Sequence, residues 1–143
     1  MKFITTVTVV LCAIPAALGA SSPASVSFDQ TYDDASNSLD IVSCSDGQNG
    51  LITKGFTTFG SLPSFPNIGG AAAVAGFNSP NCGTCWELEF EGNTINVLAI
   101  DHTLTGFNIA LAAMNTLTNG NAQFLGRINA TATQVAGSAC GLN

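Results

Sequence analysis

The stretch NCGTCWELEF, Asn81 to Phe90, sets Cys82 and Cys85 in a Cys-x-x-Cys pair directly before a segment that alternates Trp86, Leu88 and Phe90 with Glu87, Glu89 and Glu91. A period-two pattern predicts a strand with one buried and one solvated face. A thioredoxin-like dithiol instead opens a helix, whose N-terminal dipole lowers a thiol pKa. Redox catalysis is therefore disfavoured. Structural zinc needs closely spaced ligands on both sides of the ion, yet Cys44 and Cys140 stand alone and His102 is the only histidine. The pair reads as a structural staple.

The compartment follows from the N-terminus. Lys2 precedes an apolar run from Phe3 to Ile14, then Pro15 and the small residues Ala16, Ala17, Gly19 and Ala20. This is the layout of a secretory signal peptide, with cleavage expected near Ala20. The run is too short for a membrane anchor, which needs about 20 apolar residues. Residues 1–20 are thus the expected leader and 21–143 a single domain, secreted to the extracellular space or cell wall. Cys12 leaves with the leader, so the remaining Cys44, Cys82, Cys85 and Cys140 predict two disulfides in an oxidising compartment. Spacing does not choose among the possible pairings. If Cys82 and Cys85 take separate distant partners, two long loops close, each worth about 4 kcal/mol in the chain-entropy model.

Lys2 is also lost, leaving Lys54 and Arg127 against nine carboxylates. A domain this acidic is a poor partner for nucleic acid or an anionic membrane, and no membrane insertion is expected. Charged residues make up 8% of the chain, against about 25% in ordinary soluble domains. The surface is therefore built largely from Ser, Thr, Asn and Gly, which suits uncharged ligands such as sugars.

A first strand is expected around Val26 and Phe28. A Trp86–Glu91 strand turning at Gly92-Asn93 into TINVLAID makes a hairpin whose second strand is apolar enough to be central. FNIALAAMNTLTNG predicts a helix with Asn108 as its N-cap and Asn119-Gly120 beyond its end. GRINATATQV reads as a last strand. GGAAAVAGF lacks the Walker lysine and the GxGxxG spacing, and so predicts tight backbone packing rather than a phosphate loop. Many short strands with one or two helices predict a small, mainly β barrel.

Four stretches in register, CSDGQNGLITKG, TTFGSLPSFPNIGGAAAVAGFNSPNCGTCW, INVLAID and GFNIALAAMNTLT, resemble the cerato-platanin family of secreted fungal proteins. The resemblance runs from about Ser25 to Cys140. It implies a six-stranded double-psi β-barrel, mainly β with a few short helices, as in expansins and barwin. It also implies the pairing Cys44–Cys82 and Cys85–Cys140. Functionally it implies a non-hydrolytic binder of chitin oligomers or other wall polysaccharide that loosens cellulose, self-associates at surfaces and elicits plant defence, with a plant surface receptor as a further partner.

Asp101, at the end of the apolar strand INVLAI, is the first candidate site residue. The competing role is a carboxylate that satisfies turn or helix-start amides. The resemblance places it in the polysaccharide groove together with Asn108, whose amide can serve both as a helix cap and as a sugar ligand. Glycoside hydrolysis needs two carboxylates, about 5 Å apart for retention or 6.5–9.5 Å for inversion, and no second acid is marked out beside Asp101. Glu87, Glu89 and Glu91 are expected on one solvated strand face. No catalytic residue, metal or cofactor is assigned. An endoglucanase-like glycosidase using Asp101 and a surface-active protein without sugar binding are the alternatives. Trp86 is expected in the core. His102 departs from the small polar residue of the family, while Phe28, Phe56 and Phe77 stand where members carry Tyr or Trp. Asn129-Ala130-Thr131 is a glycosylation sequon.

Overall fold

The computed structural model describes residues 19–143, so the expected leader lies almost wholly outside the described residues. Strands β1 (Ser22–Phe28), β2 (Ile68–Ala71), β3 (Cys85–Phe90), β4 (Asn93–His102), β5 (Phe107–Ile109) and β6 (Arg127–Val135) close a barrel in the order β1-β5-β2-β4-β3-β6. Two of its pairings are parallel, β1 with β5 and β2 with β4, and the rest antiparallel. This is the double-psi β-barrel. Helices α1 (Leu111–Leu117) and α2 (Ala122–Leu125) and several 3-10 turns complete it. Among the described residues, no helix is long and apolar enough to cross a membrane.

The β3–β4 hairpin forms because Glu91 and Gly92 both take positive φ, 48° and 83°, as a tight primed turn requires. Glu91 therefore leaves the strand. The expected three-glutamate face reduces to Glu87 and Glu89. Strand β4 is buried without interruption from Val97 to Ile100. Its neighbours explain why: the segment between β1 and β2 and the loop before β3 bond to it, with Cys44 N–H on the Ile100 carbonyl at 3.0 Å and Ala99 N–H on the Thr84 carbonyl at 2.9 Å, and α1 and the C-terminal 3-10 turn pack against it. A strand covered on both faces must be apolar throughout. The long segment between β1 and β2 contributes to the core, since Leu39, Leu51, Phe59 and Leu62 within it are buried. Strand β6 keeps the expected alternation, with Ile128, Ala130 and Ala132 inward.

The disulfides join Cys44 to Cys82 and Cys85 to Cys140, closing sequence separations of 38 and 55 residues. The two cysteines of the opening motif thus tie β3 and the loop before it to two different distant segments. Tight packing at GGA is also found: a Cβ on Gly69 would lie 2.3 Å from the Asn108 carbonyl oxygen.

Helix α1 departs from expectation. Asn108 lies on β5, not at the N-cap, and Ala110 in the cap position has no side-chain oxygen to offer. The cap comes from a remote residue. Asp33 accepts from the N–H groups of Leu111 at 2.8 Å and Ala112 at 2.9 Å. A carboxylate at a helix start both satisfies free amides and meets the positive end of the dipole. Asp33→Ala should cost about 1–2 kcal/mol in urea denaturation, with Asp33→Asn recovering part of the loss. An unchanged midpoint for Asp33→Ala would rule out this cap as a stabilising contact.

Candidate functional site

Along β4, Ile95 and Val97 face Leu88 and Trp86 across the hairpin, and continued alternation would put Ala99 and Asp101 on that same apolar side. The β2–β4 ladder prevents this. Gly69 pairs with Ala99 but Gly70 pairs with Asp101, so Ile100 is an extra residue in the register. A bulge re-aims the side chain that follows it. Asp101 is thereby placed in a row with Gly70, which also faces Asn108; Asn108 in turn faces Ser27, and Ser27 faces Arg127. Asp101 and Asn108 stand two strand spacings apart, about 10 Å. The start of the β4–β5 connection lies against Gly70 between them, where a Cβ would meet the His102 carbonyl oxygen at 3.1 Å.

Asp101 is half-buried and accepts from three donors. The Tyr32 hydroxyl lies 2.9 Å from Oδ2, and the N–H groups of Ser43 and His102 lie 3.0 and 2.9 Å from Oδ1. Asp101 therefore satisfies loop amides, as its structural role requires, and one acceptor direction on Oδ2 remains for a ligand. Tyr32 is buried. Desolvation, then the charge and hydrogen bond of Asp101, then the charge of Asp29, raise its pKa above the ordinary tyrosine value. It stays a protonated donor. Asn108 Oδ1 accepts from Ser27 Oγ at 3.0 Å, leaving its Nδ2 donors without a protein partner among the described residues. The row thus offers an acceptor at one end and donors at the other.

His102 turns elsewhere, its Nδ1–H donating to the Val74 carbonyl at 2.6 Å. No triad forms with Asp101. Glu87 and Glu89 pair with Asn96 and Thr94, and even Asn96 precedes Asp101 by about 16 Å of strand. That exceeds the 6.5–9.5 Å carboxylate spacing of inverting glycosidases. Among the described residues, no cluster of three or more His, Cys, Asp or Glu could hold a metal. Trp86 is half-buried against Phe107, with ring centroids 5.5 Å apart. Phe28 and Phe56 pack against the core, whereas Phe77 is 67% exposed on the loop whose Asn78 N–H reaches the Ser43 carbonyl. Asn129 and Thr131 of the sequon are exposed on β6.

Sequence reasoning passed over Tyr32, Ser43 and Ser27. Tyr32 carried one available signal, as the only tyrosine in the chain and followed by Asp33 and Asp34. Ser27 and Ser43 carried none, since what selects them is register and a loop amide.

The cerato-platanin family profile matches residues 24–142, nearly all of the barrel. The chain belongs to the cerato-platanin family. It is 52% identical over 122 residues to the heat-stable 19 kDa antigen of Coccidioides posadasii, covering 85% of this chain and 84% of that protein. Among solved structures, cerato-platanin 2 from M. perniciosa superposes with a TM-score of 0.81 at 51% identity, over 85% of this chain and all of the other. The solution structure of the fungal elicitor cerato-platanin matches with a TM-score of 0.74 at 38% identity, over 81% of this chain and 95% of that one. Membership in the cerato-platanin family, which is generally non-enzymatic, supports a secreted fungal protein of the elicitor type. The two disulfides fit an extracellular protein.

Proposed function

We propose that this cerato-platanin is a secreted, non-hydrolytic carbohydrate-binding protein of the fungal wall and extracellular space. Its ligands are chitin oligomers or a related neutral wall polysaccharide, held by Asp101 and Asn108, and it elicits plant defence. The observation that carries this is the bulge-placed row in which Asp101 keeps an open acceptor and Asn108 two open donors. Neutral hydroxyls need both kinds of partner. The distance between Asp101 and the glutamates of β3 supports binding without turnover.

Titration of labelled protein with chitotriose should move the amides around Asp101 and Asn108. Asp101→Asn keeps the side-chain shape and should weaken binding about tenfold, since it replaces a charge-assisted hydrogen bond. Shifts confined to other surfaces would refute the assignment. Reducing-end release that disappears in Asp101→Asn would establish the glycosidase instead. Scoring elicitation alongside binding in the same variant tests whether a plant receptor reads the protein through its sugar site.

Self-association is a second reading with its own observation. Leu104 and Phe124 are 88% and 89% exposed, and large apolar side chains so displayed favour adsorption or association. Sedimentation as a strict monomer at every concentration would count against it.

A further inference from the structure

A cleft of about 520 Å³ opens between the chain leading into β2, the first half of β4, α1 and the C-terminal 3-10 turn (Gly137–Cys140). Its lining includes neither Asp101 nor Asn108. Asn96, on its β4 wall, precedes Asp101 by about 16 Å of strand. The volume falls within the range of small-molecule sites, about 300–1,000 Å³.

The wall is polar and uncharged. Ser64, Asn67, Thr94, Asn96 and Thr116 line it, and none of its lining residues is Asp, Glu, Lys, Arg or His. Thr116 spends its hydroxyl on the Ala112 carbonyl at 3.2 Å, and the nearby Asn93 amide is spent on Leu117. The side chains of Asn67, Thr94 and Asn96 have no protein partner among the described residues. Ser64 adds an independent signal. Its Oγ is buried without any hydrogen-bond partner, the one such side-chain atom among the described residues. Buried hydroxyls are ordinarily paired. Ser64 also lines the cleft, so an unpaired hydroxyl lies at its wall.

We propose that this cleft is a second saccharide subsite, taking a neutral pyranose unit through its hydroxyls. Two carboxamides and two hydroxyls supply donors and acceptors together, as adjacent sugar hydroxyls require. A charged ligand finds no counter-charge here, and an apolar one would strip water from four unpaired polar groups. An extended peptide is the poorer fit, because strand addition needs a free sheet edge and the barrel is closed. With sugar also held at the Asp101 row, each molecule would bridge two chain segments. That bridging rests on the function proposed above; the subsite itself does not.

The test is a titration of labelled protein with chitotriose and, separately, cellotriose. Two groups of amides should shift, one around Asp101 and Asn108, the other around Asn67, Thr94 and Asn96. Ser64→Ala and Asn96→Ala remove no hydrogen bond of the fold, so the melting temperature should stay near wild type. Each should weaken the second response about fivefold and leave the first unchanged. Asp101→Asn should do the reverse. Shifts at the cleft alone would uphold the subsite while removing both the bridging and the Asp101 assignment. Absence of cleft shifts at sugar concentrations that saturate the Asp101 row would overturn the proposal, as would cleft shifts unaltered in both Ser64→Ala and Asn96→Ala.

Discussion

The paired substitution Cys85→Ala/Cys140→Ala should lower the melting temperature by about 10 °C or more. The bridge ties the first residue of β3 to the C-terminal 3-10 turn and closes a sequence separation of 55 residues. Loop closure on that scale is worth about 4 kcal/mol in the chain-entropy model, and losses of 2–5 kcal/mol are usual when small secreted domains lose a native disulfide. Total stabilities run at about 5–15 kcal/mol, so the remaining margin is narrow. Full reduction removes the Cys44–Cys82 bridge as well and should cost more, although the terms need not add. Calorimetry on the oxidised and substituted proteins checks the shift. A change of only a degree or two would mean that the β3 ladders hold the fold without the staple. Neither redox state should show dithiol oxidoreductase activity, because Cys82 and Cys85 bond to distant partners when oxidised and lead into a strand rather than open a helix.

Replacement of Gly69 by alanine should be comparably damaging, at about 3 kcal/mol or more. The new Cβ would lie 2.3 Å from the Asn108 carbonyl oxygen and 2.6 Å from Ile109 Cα. Both are backbone atoms of β5, so no rotamer change relieves the overlap. The strands must separate in a barrel whose other ladders resist it. Because Gly69 pairs directly with Ile109 beside Asn108, the same displacement should disturb the Asp101–Asn108 row and weaken the sugar binding proposed for it. Gly76→Ala is the matched control, since a Cβ there meets nothing within 4 Å. It should change stability by no more than about 0.5 kcal/mol. Urea midpoints for the two variants decide the matter; equal midpoints would show that the β2–β5 spacing is looser than described.

Both effects arise from contacts between segments far apart in the chain, and the candidate site is built the same way. Asp101 was legible from its place at the end of an apolar run. Its aim was not, because the extra residue Ile100 exists only relative to the register of β2. Its phenol donor, Tyr32, lies 69 positions away. Asn108 shows how local rules mislead: an asparagine ahead of a helical pattern reads as its cap, but Asp33, 78 positions from Leu111, takes that role and frees Asn108 for the sheet. Glu91 was assigned to a strand by period, while the hairpin turn required its positive φ.

The sequence by itself determined the elements whose exposure repeats locally: the β3–β4 hairpin, the alternating β6, the continuous apolar run of β4 and the small-residue packing at Gly69. It also carried, through four motifs in register, the resemblance to the family to which the chain belongs. Side-chain period records which face is buried, and that information is held within a few residues. The cysteine pairing was implied by that resemblance and not by spacing; only the tertiary structure decided which residue caps α1, which way Asp101 points, and that Ser64 and its neighbours share a cleft. Those outcomes depend on strand register and on hydrogen bonds across dozens of residues, where the partner of each group is chosen by the closure of the barrel and not by its neighbours in the chain.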